Sequence, residues 1–105
     1  MYNGFFGWDD RKNEINAKKH GFDFWVGLQV FADPMHILDI DRADPITGEQ
    51  RYNATGLVNA KVLITSHVYR PKPGNVKEDY IHIISSRQAS RKETRRYFKQ
   101  DANIA

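Results

Sequence analysis

The sequence predicts an α+β fold in one compact domain over residues 1–105, with two N-terminal helices, an antiparallel sheet of about four strands and a C-terminal helix. Three observations carry that expectation. Residues 8–31 show helical caps and helical spacing. From residue 35 the apolar period changes to two, and Ser90 with Glu93 forms a capping box that opens a last helix. A chain of this length has apolar surface for one core, which sets the domain count.

Each element follows from local chemistry. "WDDRKNEINAKKHGF" is a helix with Asp9 as N-cap and Gly21 as the left-handed residue that ends it. Lys18, Lys19 and His20 complement the negative end of its dipole, and Asn16 reads as a structural residue that bonds a loop backbone. "DFWVGLQVF" follows, capped by Asp23, with Phe24, Leu28 and Phe31 on one side and Pro34 ending it. It is the more buried of the two, and Trp8 and Trp25 are expected in the core. "MHILDI" is a strand and "DRADPITGE" a loop. "RYNATGLV" and "KVLITSHVY" flank a two-residue turn at Asn59 and Ala60, where alanine predicts local strain. "RPKPGNVKED" reads as a loop and "YIHIISS" as a fourth strand, with Ile81, Ile83, Ser85 and Arg87 sharing one face. The final helix runs from about residue 91 to 100.

Composition narrows the function. No run of about 18 uncharged apolar residues exists, so a membrane span is not expected. "MYNGFFGWDD" lacks the basic start and apolar stretch of a secretory leader, and zero cysteines exclude a disulfide scaffold and Cys-ligated zinc. A cytoplasmic protein without cofactor or metal is the expectation: Asp39 and Asp41 have no ligand at helpful spacing, and there is no glycine-rich phosphate loop. The net charge of +3 is polarised. Residues 1–22 sum to +1, residues 23–50 to −5 and residues 51–105 to +7. A field of that kind most often meets a phosphate polyanion, and an acidic protein would also satisfy it.

The cations and the groups that transfer protons identify the candidates. His67 and Arg70 near the end of one strand, Arg87 past the next and Arg51 at a strand start are expected to converge on the polar face of the sheet. His67 is the candidate acid or base, and Glu49, beside Arg51 in "GEQR", the alternative base. Arg87 is the leading phosphate ligand; Lys19 and His20 are placed on the same groove. Arg91 and Arg95 extend the basic surface, and Tyr97 either stacks on a base or sits at the core edge. Glu93 is the capping partner.

The chain resembles the BrnT-type toxins of bacterial type II toxin–antitoxin modules. "WDDRKNEINAKKHG" fits the pattern W-D-x-x-K-x-x-x-N-x-x-K-H-G, "GEQR" fits G-E-x-R, and "ISSRQASRKE" fits I-S-A-R-x-A-[ST]-x-x-E with a tyrosine following at position 97. Ser86 departs from the usual alanine, His82 from the usual arginine, and residues 70–79 are longer than usual. The resemblance implies a RelE-like ribonuclease fold that cleaves RNA without a metal. It also implies a cognate antitoxin with a ribbon-helix-helix DNA-binding domain, with operator DNA bound only through the complex. A non-catalytic basic module binding nucleic acid or protein on the same scaffold is the alternative.

Overall fold

A computed structural model describes residues 1–100. Strand β1 (Phe6–Gly7) precedes helix α1 (Asp10–His20), a short helix α2 (Phe24–Gly27) and a 3-10 segment (Leu28–Ala32). Strands β2 (Ile37–Ala43), β3 (Gln50–Val58), β4 (Lys61–Lys72) and β5 (Asn75–Gln88) follow, then helix α3 (Arg91–Lys99). The sheet has the order β1-β5-β4-β3-β2. It is five-stranded and mixed, because β1 pairs parallel with β5 through Phe6 opposite Ile81 and Gly7 opposite His82. The expectation of about four antiparallel strands is corrected on this point. A two-residue strand has no period to read.

The predicted caps form. Asp9 accepts a hydrogen bond from the Lys12 amide, Gly21 ends α1 at φ 82°, and Asp23 accepts from the Val26 amide. Ser90 and Glu93 make both bonds of the capping box. Asn59 and Ala60 turn at φ 48° and 68°, the left-handed strain expected for alanine. The segment 70–79 differs from its reading as a loop: β4 and β5 continue into a long hairpin that turns at Pro73 and Gly74. The Pro and Gly mark only that turn, and the hairpin's mostly exposed side chains hide its alternation.

One face of the sheet carries two buried apolar clusters, while Val62, Ile64 and Val68 are buried on the other. Trp8, Phe24 and Ile83 form one buried cluster; Val30, Ala54, Val58 and Leu63 form a second. Trp25 is half exposed rather than buried, lying edge-on to Trp8 at 4.9 Å between centroids. Helix α2 approaches the sheet closely enough that a Cβ on Gly27 would lie 2.6 Å from Ser86 Oγ. Thr65 Oγ1 uses that approach, donating to the Gly27 carbonyl at 2.8 Å.

A bulge in β5 sets the rest of the geometry. Thr65 pairs with Ser86 and Ser66 with Ser85, but His67 pairs with Ile83, which leaves Ile84 as an extra residue. Ile83 and Ser86 therefore share the helix-covered face although they are three residues apart. Arg87, opposite Ile64, points to the other face together with Ser85. The expectation that Ile81 and Ile83 share a face with Ser85 and Arg87 fails for this reason. Asn16, the buried residue of α1, holds the strand beyond the bulge: its amide donates to the Ser86 carbonyl at 2.9 Å and accepts from the Ser86 N–H at 3.0 Å. It also donates to the Phe22 carbonyl. Helix α3 is tied across the second face, from β5 to edge strand β2. Arg87 pairs with Glu93 at 2.8 and 2.9 Å, and Arg96 with Asp39 at 2.6 and 2.9 Å.

Candidate active site

The second face carries a polar cluster where β3 begins and β4 leads into the hairpin. Its loop is built around Asp44, whose carboxylate accepts from the Ile46 and Thr47 amides while its own N–H donates to the Glu49 carbonyl. Gly48 adopts φ 74°, a conformation a side chain would oppose, and this turns Glu49 towards β4. Glu49 then accepts a two-pronged bond from Arg70, Nε to Oε2 at 2.9 Å and Nη2 to Oε1 at 3.0 Å. Arg51 lies beside it, 3.4 Å from the Asp44 carboxylate.

Residues of β5 complete the cluster. Tyr80 stands opposite Arg70, and His82 opposite Val68. The Tyr80 hydroxyl is 3.2 Å from His82 Nδ1. The Glu49 carboxylate first, and the Tyr80 hydroxyl after it, raise the Arg70 guanidinium's affinity for its proton. The Arg70 hydrogen bond in turn holds Glu49 ionised below the usual carboxylate range. His82 is half-buried, and burial first, then the Arg70 charge, lowers its affinity for a proton. Sequence reasoning passed over Tyr80 and named His82 only as a departure from a pattern. The signal available was their alternation on the strand that faces Arg70.

His67 is elsewhere. It pairs with Tyr52 and Ile83 on the helix-covered face, is 0% exposed, and meets the Phe31 ring edge-on at 4.9 Å. Its Nδ1 donates to the Thr65 carbonyl at 3.1 Å and its Nε2 lies 3.4 Å from the Tyr69 hydroxyl. Burial pushes its proton affinity down, and both ring nitrogens have partners. The expected convergence of Arg51, His67, Arg70 and Arg87 is corrected accordingly. Arg51 and Arg70 come together, while His67 lies under the opposite face. Arg87 stands opposite Ile64, six residues from Arg70 along β4, or about 20 Å at strand rise. That separation prevents the two guanidiniums from holding a single phosphate.

The remaining candidates divide along the same lines. His20 lines a cavity of about 360 Å³ with Phe22, Val58, Lys61 and Leu63, near the Asn59–Ala60 turn and at the other end of β3 from Glu49. Lys19 is exposed at the adjacent end of α1. Neither joins the Arg70 cluster. Arg91 and Arg95 are exposed on α3, and Arg95 lines a cleft of about 760 Å³ with Lys92, Arg96 and Ile37. Tyr97 is buried and its hydroxyl donates to Asp33, whose carboxylate also accepts from the Leu57 amide; it is a core-edge tyrosine.

A guanidinium clamped by a carboxylate, with a second guanidinium, a phenol and an imidazole on one partly open sheet face, is a candidate anion-binding site with a proton-transfer group at hand. Comparison gives the class a family. The model described as ribonuclease toxin, BrnT, of type II toxin-antitoxin system matches residues 8–93, and the chain belongs to that family. It is thus a ribonuclease toxin of a type II toxin–antitoxin system, a role that implies an RNA substrate and an antitoxin partner. No curated protein matches it. Among the described residues no helix is long and apolar enough to cross a membrane.

Proposed function

We propose that this chain is a metal-independent endoribonuclease with a RelE-like active surface, cleaving RNA by attack of the ribose 2′-hydroxyl on the adjacent phosphate. The observation that carries the reading is the Glu49–Arg70 clamp beside Arg51. A 2′-hydroxyl attack takes its nucleophile from the substrate, so the protein must supply only a base and fixed cations for the charge that builds on the phosphorus oxygens. Arg70 and Arg51 are those cations. Glu49 has both carboxylate oxygens engaged by Arg70, which suits it to aim the guanidinium rather than to take a proton at rest. Arg87, Arg91 and Arg95 extend the positive surface towards α3 and grip the RNA backbone at a distance from the cut. DNA lacks the nucleophile and is spared. The toxin acts in the cytoplasm and is neutralised by a cognate antitoxin bearing a ribbon-helix-helix domain, with operator DNA bound through the complex.

The test is cleavage of a defined RNA in excess EDTA. Wild-type protein should cut it and leave the matching DNA intact, and Arg70→Ala should lose roughly 10²–10³-fold in rate with its circular dichroism unchanged. Salt-dependent binding with intact RNA would instead support the non-catalytic basic module.

A further inference from the structure

We infer that His82, held by Tyr80, is the base that takes the 2′-hydroxyl proton. This rests on the nuclease reading above and assigns the proton transfer that Glu49, clamped by Arg70, is poorly placed to perform.

Three features of the site carry the inference. The imidazole lies next to Tyr80 on the partly open face, the Tyr80 hydroxyl occupying Nδ1 at 3.2 Å. Among the described residues Nε2 has no hydrogen-bond partner, and the ring is only partly buried, so that nitrogen is the one a substrate reaches. Tyr80 stands directly opposite the phosphate-binding Arg70 across the β4–β5 ladder, so phosphate ligand, phenol and imidazole lie in one array. His67 has no comparable freedom, because both its nitrogens are occupied in the core.

In the reacting tautomer the neutral ring carries its proton on Nδ1, donated to the Tyr80 oxygen. Nε2 accepts the proton of the 2′-hydroxyl as the 2′-oxygen bonds to phosphorus. The bond from phosphorus to the 5′-oxygen breaks, and that oxygen takes a proton from water. The products are a 2′,3′-cyclic phosphate and a 5′-hydroxyl. The imidazolium then loses its Nε2 proton to solvent. Tyr80 is a positioning residue, since its hydroxyl serves as acceptor for Nδ1–H in both the neutral and the charged ring.

The charges that face His82 come from every neighbouring element. Arg70 on β4, Lys12 on α1 and the amine of Met1 disfavour its charged form, and Glu49 favours it. Burial and these cations outweigh the carboxylate, so the ring is neutral at and above its ordinary titration point near 6.5. A base must be neutral to act. Cleavage is expected to fall as pH drops through a midpoint below 6.5 and to level off above it.

The experiment measures the cleavage rate from pH 4.5 to 8 in EDTA, on an RNA oligonucleotide, for wild type, His82→Gln, His82→Arg and Tyr80→Phe. Binding is followed in parallel with an oligonucleotide bearing a single 2′-deoxy sugar at the cut. His82→Gln should lose on the order of 10²–10⁴-fold in rate at neutral pH and flatten the acidic limb, with binding changed less than threefold. His82→Arg, which restores the residue usual at this position, should bind at least as well and lack the limb. Tyr80→Phe should move the midpoint while retaining the limb. A His82→Gln protein that cuts within threefold of wild type, or keeps the acidic limb, overturns the assignment while leaving the nuclease reading intact. A wild-type protein that binds RNA and never cuts it overturns both.

Discussion

His67 and His82 sit on neighbouring strands, one step apart in register, and face opposite sides of one sheet. On the first side the ring is enclosed by Phe31, Tyr52 and Tyr69 and its two nitrogens meet a carbonyl and a hydroxyl. On the second it borders a phenol and a guanidinium clamped by a carboxylate, with one nitrogen unpartnered among the described residues. The side chain is the same and its chemistry is decided by strand phase. A histidine surrounded by rings on a packed face contributes packing; on a charged, partly open face it can exchange protons.

The sharpest way to break this division is Asn16→Ala. Asn16 satisfies the backbone of Ser86 just past the bulge, and alanine leaves both of those buried groups unpaired. A loss of about 2–4 kcal/mol in unfolding free energy is expected, read by urea denaturation. A change below about 0.5 kcal/mol would mean that something other than α1 holds the register. His67→Gln probes the packed side alone. It should cost about 1–3 kcal/mol through lost ring packing and an altered buried hydrogen bond, while cleavage per folded molecule stays near wild type. Loss of cleavage in a folded His67→Gln protein would return that residue to the site.

The smallest effect concerns the strap over the second face. The Arg87 guanidinium pulls the Glu93 carboxyl from 4.5 down to about 2. A depressed carboxylate adds stability that is fully present above its unfolded value and is lost as pH falls through the folded one, so the window runs from 4.5 down to about 2. Because the Glu93 side chain is 34% exposed, solvent screening reduces the contribution to about 1 kcal/mol. Melting temperature should drop more steeply with acid in wild type than in Glu93→Gln, and parallel curves would show that the pair contributes nothing.

How far the sequence revealed this division depends on the element. Asp9, Gly21, Asp23 and the Ser90–Glu93 box were legible because caps are local chemistry, and the Asn59–Ala60 turn because its flanking strands alternate. Strand β1 was hidden, since two residues carry no period and its pairing depends on β5, more than 70 residues away. The bulge was hidden too. "HIISS" contains two adjacent isoleucines and two adjacent serines, and nothing local says which of each pair turns inward. From this follow the misassigned face of Arg87 and the placement of His67 in the site. Glu49 and Arg51 stood out because G-E-x-R sets opposite charges two residues apart, but the pairing of Glu49 with Arg70 rather than Arg51 depends on the Asp44 turn and was not legible.

The additional residue at position 84 has a consequence for anyone who recombines such proteins. Exchanging β5 for an uninterrupted strand of equal length would seat either its first half or its last half in correct orientation, never both. Chimeras should therefore be joined outside residues 81–88, so that the floor of the core and the basic rim travel together as one inherited block.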